Sequence, residues 1–285
     1  MMQTSLEQTK ARSLRGTIRI EGAVKIYGNP ENGVVAVDHC SLECPPGQIT
    51  MVVGPSGCGK TTLLNAIAGF HSLTSGAIYL DDEMLCGPGK PKADPGSDRI
   101  VVFQNGALFP WKTNIENVVF GPVMQGKLSV KEAKDKARMM MAEAGLSGVE
   151  NEYPGQISSG VRRRVEIVRA LMNDPKVLLL DEPYRALDSL TKSVMHESLL
   201  ETCYRNRITV FFITHDLEEA IFLGDQVVIM TSRPCRTKKL LKIDLPHPRD
   251  YSIVTSRRFR ELMDETMDAV HEEAMKAFEL GEREG

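Results

Sequence analysis

Eight consecutive residues, Gly54-Pro55-Ser56-Gly57-Cys58-Gly59-Lys60-Thr61, hold the densest chemistry of the chain. Glycines let backbone N–H groups turn toward a single anion with no Cβ in the way. Lys60 supplies a cation that reaches the outer phosphates of a polyphosphate, and the Thr61 hydroxyl is a ligand for Mg²⁺. An apolar run, Ile49 to Val53, precedes the stretch, and Thr62-Leu63-Leu64-Asn65-Ala66-Ile67-Ala68 follows it. Strand, loop and helix in that order are the context a G-x-x-x-x-G-K-[ST] motif requires. The start of the helix adds unpaired N–H groups and the positive end of its dipole. These residues imply a bound nucleoside triphosphate.

A second set of polar groups follows apolar runs. Val177 to Leu180 is continuously apolar and runs into Asp181-Glu182-Pro183. That pattern predicts a strand buried on both faces, as in a parallel sheet. Adjacent strand residues point to opposite sides, so one of Asp181 and Glu182 can hold Mg²⁺ while the other takes a proton from water. Gln104 follows the predicted strand Arg99 to Phe103, and His215 follows Thr209 to Ile213. Open α/β sheets collect ligand groups at the carboxyl ends of their strands. An ordinary strand-end amide and a structural histidine are the plainer alternatives for Gln104 and His215. Tyr27, at the end of the first predicted strand, is either a purine-stacking aromatic or a core tyrosine.

The elements that must position these groups can be read along the chain. Thr17 to Tyr27 and Val34 to Cys44 predict two strands joined by the turn cluster Gly28 to Gly33, an antiparallel sheet beside the nucleotide core. Ala77 to Leu80 is a short strand, and Cys86 to Asp98 reads as an exposed loop. Ala107 to Trp111 is an aromatic loop, either a partner surface or packed on its own domain. Val130 to Ala144 is helical, with Met139 to Met141 filling a packing layer. Ser158 or Ser159 caps a helix over Val161 to Met172. Arg162, Arg163 and Arg164 crowd its first turns, against the helix dipole, so they are either solvated or near an anion. Leu217 to Leu223 is a helix and Gln226 to Met230 a strand. Thr255 to Leu280 is an amphipathic helix with Phe259, Leu262, Met263, Met267, Val270, Ala274 and Phe278 at helical spacing. The alternation is that of a mainly parallel α/β core.

Bulk properties narrow the class. The chain has 285 residues, 42% hydrophobic and 26% charged, with a formal net charge of −3. Nothing in that balance suggests a nucleic-acid partner. No apolar run reaches the length of a membrane span, and the polar stretch Met1 to Gly16 lacks a secretory h-region and reads as a loose tail. The six cysteines form no C-x-x-C pair, which fits reduced thiols in a cytoplasmic protein.

In this order the pieces resemble the ATP-binding subunits of ABC transporters, over about Thr17 to Pro248. Gly54 to Thr61 matches Walker A, extended by Thr62, and Val177 to Glu182 matches Walker B with its catalytic glutamate. Gln104 falls at the Q-loop, Ala186-Leu187-Asp188 at the D-loop and His215 at the switch histidine. Tyr27 falls at the aromatic that stacks on adenine. Ile157-Ser158-Ser159-Gly160-Val161 occupies the signature, usually Leu-Ser-Gly-Gly-Gln, so Ser159 replaces its first glycine and Val161 its last residue. A Cβ there would crowd a phosphate or alter φ/ψ, which implies a weakened contact. The arginines at 162 to 164 resemble the basic residues that commonly follow the signature, which favours a nearby anion.

Phe103 to Trp111, Ser232-Arg233-Pro234 and Asp244 to Arg249 further resemble the nitrate/sulfonate/taurine importer branch. By that likeness Phe109 to Trp111 lies near the groove for a permease coupling helix.

The resemblance implies a P-loop ATPase of ABC type, with a mainly parallel sheet, an antiparallel β subdomain and an α-helical subdomain at about 105–173. It implies an ATPase domain at 17–248, between the tail at 1–16 and a helical extension at 249–285. ATP and Mg²⁺ are the implied cofactors, with Thr61, Gln104 and Asp181 serving the metal. A second copy would bring Ser158, Ser159, Gly160 and the D-loop Asp188 to each ATP. A transmembrane permease and, indirectly, a solute-binding protein would be partners, at the cytoplasmic face of the membrane. Rival readings are a module that dimerises on ATP with attenuated hydrolysis, motivated by Ser159, and a soluble ABC ATPase not coupled to transport.

Overall fold

The computed structural model describes residues 15–29, 32–185 and 187–279. Most of the tail expected at 1–16, Pro30 and Glu31 of the turn cluster, Ala186 of the D-loop and residues 280–285 lie outside the described residues.

Two sheets carry the molecule. β1 (Ile18–Tyr27) and β2 (Val34–Cys44) pair antiparallel, from Ile18 opposite Cys44 to Tyr27 opposite Val34. β4 (Ser75–Leu80) and β5 (Glu83–Cys86) complete a four-stranded sheet ordered β2-β1-β4-β5. The second sheet has six strands, ordered β10-β9-β3-β8-β7-β6. They are β3 (Ile49–Val53), β6 (Arg99–Val102), β7 (Val177–Asp181), β8 (Thr209–Ile213), β9 (Gln226–Met230) and β10 (Thr237–Lys242). β6, β7, β8, β3 and β9 pair in parallel, and β10 adds antiparallel to β9.

Among the described residues there are seven helices: α1 (Lys60–Ala68), α2 (Asn114–Met124), α3 (Val130–Glu143), α4 (Ser159–Leu171), α5 (Ser189–Asn206), α6 (Leu217–Leu223) and α7 (Arg257–Glu279). β7 shows why its sequence is continuously apolar. Val177 and Leu179 join one core with β1, β2 and Leu63, Leu64 and Ile67 of α1. Leu178 and Leu180 join the opposite core with Met195 and Leu199 of α5, Phe222 of α6, and Phe259 and Leu262 of α7. Both faces are covered, so no position on the strand faces water. A third cluster is separate from the sheets: Ile115 and Val118 of α2, Ala133, Ala137 and Met141 of α3, and Val165 and Val168 of α4. Capping boxes open α2 (Thr113 with Glu116) and α3 (Ser129 with Glu132).

The structure corrects several expectations. Residues 86–98 are not simply an exposed loop: Cys86 ends β5, and it and Ala93 are fully buried. Arg99 is buried because its Nε donates to the Ile67 carbonyl near the end of α1, at 2.9 Å. β6 ends at Val102, leaving Phe103 partly exposed. Only Met141 of the three methionines is buried, and Met139 faces outward. On α7 the inward set is Phe259, Leu262, Thr266, Glu273 and Ala277, while Met267, Ala274 and Phe278 are exposed. Thr266 is satisfied internally, donating to the Leu262 carbonyl at 2.7 Å. Glu273 accepts from the Ser232 amide at 3.0 Å and pairs with Lys238 and Lys276. Apolar spacing missed this face because half of it is polar and paired. The sequence reading has no element over 189–206, where the 18-residue α5 forms.

Candidate nucleotide-binding site

The loop Gly54 to Thr61 leaves the carboxyl end of β3 and enters α1. Gly59 caps the helix at φ 124°, and a Cβ there would stand 2.4 Å from the Ala36 carbonyl oxygen. Steric exclusion therefore demands glycine at 59. Lys60 is 7% exposed, and its Nζ donates to the Gly54 and Pro55 carbonyls at 2.8 Å each. The lysine thereby closes the loop into a ring. Arg233 of the β9–β10 turn donates to the Gly57 carbonyl at 2.9 Å and holds the crest from outside.

Thr61 opens α1 and faces the end of β7, where its Oγ1 lies 3.1 Å from Asp181 Oδ2. Asp181 shares the strand face of Val177 and Leu179, the face that α1 covers. Burial pushes its carboxyl up, and the hydrogen bond from Thr61 opposes that shift. A buried anion beside a hydroxyl oxygen is a donor set for a hard divalent cation, so Mg²⁺ fits here. Among the described residues there is no cluster of three or more His, Cys, Asp or Glu side chains able to hold a metal. Mg²⁺ does not need one, since it keeps waters and substrate phosphates as ligands.

Glu182 gathers the other strand ends. Gln104 Nε2 lies 3.4 Å from its Oε2, His215 Nδ1 3.4 Å and Arg185 Nη1 3.3 Å. Its backbone turns at φ 44°, a left-handed conformation for a non-glycine residue, and its N–H donates to the Ile213 carbonyl at 3.0 Å. The chain thus leaves β7 sharply, and the side chain is only 16% exposed. Arg185 was not foreseen; its only sequence signal is its place three residues after Glu182. Tyr27, half exposed at the end of β1, reaches Thr62 Oγ1 at 3.3 Å and sets its ring edge-on to His71. Lys25 Nζ stands 5.0 Å from the centroid of the Tyr27 ring.

The Ser158 to Gly160 segment lies elsewhere in the fold. Ser158 caps α4 by accepting from the Val161 amide at 3.3 Å. Ser159 is exposed in the first helical turn, so of the two effects expected of its Cβ the altered φ/ψ does not occur. Gly160 is buried, and a Cβ there would meet Thr191 Cγ2 at 2.9 Å. Thr191 is bound to Asp188, the cap of α5, through its amide at 2.9 Å and its hydroxyl at 2.7 Å. Those bonds hold the Asp188 carboxyl below its usual range. Among the described residues no hydrogen bond or ion pair links Ser158–Gly160 to Gly54–Thr61.

The three arginines after Gly160 are not free in solvent, and Arg163 meets an anion, the carboxylate of Glu166. Arg162 donates to the Ile157 carbonyl at 2.8 Å, and Arg164 to Ala144 at 3.2 Å. Arg163 is buried and donates to Glu166 at 2.6 Å and to the carbonyls of Phe103 and Gln104 at 2.8 Å. Glu166 in turn accepts from the Ala107 amide at 2.8 Å. This buried pair staples the segment carrying Gln104 onto α4. It was missed because the residues it joins lie about sixty positions apart.

The comparisons agree with this geometry. Residues 37–185 match the family model described as ABC transporter. The nitrate import ATP-binding protein of Synechococcus elongatus is 38% identical over 273 residues, covering 95% of this chain and 97% of that protein. The taurine import ATP-binding protein of Rhizobium johnstonii is 41% identical over 245 residues, 84% of this chain and 90% of that protein. A solved dimeric ATP-binding cassette in a post-hydrolysis state, bound to ADP and Pi, superposes with a TM-score of 0.70 at 28% identity, covering 80% of this chain and all of that one. With its parallel sheet, its phosphate loop and this similarity along nearly its whole length, the chain belongs to the ABC transporter family.

Proposed function

We propose that the chain is the ATP-hydrolysing subunit of an ABC importer for a small anion, working as a pair of copies with a membrane permease. The family and the named nitrate and taurine relatives support the importer class, and the dimeric cassette supports the pairing. No described helix is long and apolar enough to cross a membrane, so a permease would have to supply the channel.

In this reading Lys60 and the amides of 54–62 bind the phosphates, and Tyr27 stacks on the base. Thr61, Asp181 and Gln104 would hold Mg²⁺, which supplies charge neutralisation at the phosphate oxygens. Glu182 orients the attacking water and accepts its proton, and His215 steadies the γ-phosphate. Ser158, Ser159 and Gly160 of the second copy close the site, with Asp188 at the junction. The reaction is phosphoryl transfer to water, achieved by positioning and charge stabilisation. A periplasmic or extracellular solute-binding protein would deliver the anion.

The observation that carries this reading is the convergence on Glu182 of groups from the ends of β6 and β8, beside the Thr61–Asp181 contact. The test is Mg²⁺-dependent ATP hydrolysis by the wild type and by Glu182→Gln. Loss of a general base should slow turnover about 10²- to 10⁴-fold while ATP still binds. Equal rates would remove Glu182 from that role.

A further inference from the structure

His196, on α5, is a buried polar side chain that the proposed chemistry does not use. It is 3% exposed, and both of its ring nitrogens are engaged. Nε2 lies 2.8 Å from Oε1 of Glu219 on α6, itself 4% exposed, and Nδ1 lies 2.6 Å from the hydroxyl of Tyr251. A carboxylate can only accept, so the Nε2 proton points at Glu219 and Nδ1 is left to accept from Tyr251. Burial, with Glu218, Glu219 and Asp216 nearby, pushes the Tyr251 phenol up and keeps its proton in place. Tyr251 opens a 3₁₀ turn, Tyr251–Thr255, beyond β10, and its ring stacks on Phe222 of α6 with centroids 4.3 Å apart.

His196 stands between two segments that converge on Glu182. The Tyr184 ring, two residues beyond Glu182, lies 5.2 Å from the His196 ring. On the other side, Glu219 belongs to the first turn of α6, which begins directly after His215 and Asp216. Asp216 caps that turn by accepting from the Glu219 amide at 3.2 Å, and its other carboxylate oxygen lies 3.1 Å from Nζ of Lys192. Lys192 and His196 are four residues apart on α5, so one face of that helix grips α6 at two rungs. The backbone of His215 is joined to the gripped turn, and its Nδ1 faces Glu182 at 3.4 Å. A buried polar network with its bonds made fixes one geometry more narrowly than apolar contact does.

We propose that His196 is a positioning residue for hydrolysis: through Glu219 it fixes the start of α6, and so the His215 imidazole against Glu182, with Tyr251 orienting its ring. This role rests on the proposed parts of Glu182 and His215 in ATP hydrolysis; the grip on the α6 turn does not. The nucleotide is held by Lys60 and the loop amides, on another segment. His196 therefore acts on turnover and not on ATP affinity.

Two replacements separate its bonds. Gln places an amide nitrogen where Nε2 stands and still donates to Glu219, whereas Asn places an amide oxygen where Nδ1 stands and only accepts from Tyr251. With the full-length protein and Mg²⁺-ATP, His196→Asn should lower kcat about tenfold at unchanged ATP affinity, and His196→Gln should keep kcat near the wild type. In a His215→Ala background, His196→Asn should lower kcat no further. Glu219→Met breaks the same bond from the other side and should reproduce His196→Asn, which keeps the test open if one variant does not fold. Equal losses in the Asn and Gln variants, an equal loss of ATP affinity, or a full further loss without His215 would overturn the proposal, since a histidine serving stability alone gives those results. Wild type that does not hydrolyse ATP would overturn the proposed function instead. NMR of the histidine imidazoles would then still decide the positioning. The His215 signals should move in His196→Asn and stay in His196→Gln, and signals unmoved in both would overturn it.

Discussion

The phosphate loop and the Ser158–Gly160 segment are both loop-to-helix turns, yet they are held by different forces. The loop is fixed by backbone sterics and by the sheet: Gly59 is pressed against Ala36, Lys60 is bound into the ring, and Thr61 meets Asp181 at the end of a fully buried strand. The second segment opens α4, whose Val165 and Val168 belong to a separate apolar cluster while Ile167 and Ala170, farther along, pack into the sheet core. Near the site, its polar tie to the sheet is the buried Arg163–Glu166 pair gripping the Gln104 segment. A half-site built on strand ends has little freedom. A half-site tied on by hydrogen bonds can be shifted by whatever changes those bonds, and Gln104 links the tie directly to Glu182.

The sharpest way to break this comparison is Arg163→Ala. It leaves Glu166 buried without its partner, a loss of about 3–5 kcal/mol. Calorimetry should show that destabilisation, and among molecules still folded, turnover should fall more than ATP affinity. Equal losses in both would mean the two regions are one unit. Next is Gly59→Ala, which forces a Cβ onto the Ala36 carbonyl at positive φ and costs about 1–3 kcal/mol of local strain. Here ATP affinity should fall first, the reverse of the Arg163 pattern.

Asp181→Asn is smaller and depends on pH. The folded carboxyl titrates above its ordinary value of 3.8 because it is buried. The ionised group therefore costs stability above the folded pKa, and that cost disappears as pH falls below the unfolded value. Without nucleotide, the variant should melt above the wild type at neutral pH, with the gap closing toward pH 4. Mg²⁺-ATP should raise the melting temperature of the wild type more than that of the variant. A gap independent of pH would show that Asp181 ionisation is not its source. The smallest effect is expected for Ser159→Gly. The position is exposed and ordinarily helical, so melting should barely change. A several-fold rise in ATP turnover would show that the serine weakens contact with the phosphate in the second copy, and unchanged turnover would make it neutral.

Much of the site was legible because its chemistry is written locally. β2, β3, β8, β9 and α6 form over the residues read from the sequence. Gly54 to Thr61 and Asp181-Glu182 are contiguous motifs whose flanking apolar runs disclose their strands. α5 went unread although Met195, Leu199, Leu200 and Cys203 make its buried stripe, because charged and β-branched residues interrupt the pattern. The inner face of α7 was misread because Thr266 and Glu273 are buried through hydrogen bonds and ion pairs, which hydropathy does not register.

Residue order alone determined that a triphosphate-binding loop follows a buried strand and that carboxylate, amide and imidazole groups end the other strands. Those are local properties of spacing and polarity. Only the tertiary structure decided which groups meet: Glu182 with Gln104 and His215, and the Arg163–Glu166 pair with the Gln104 segment. Such contacts depend on strand order in a parallel sheet, where neighbours in space are set by long crossovers and not by distance along the sequence.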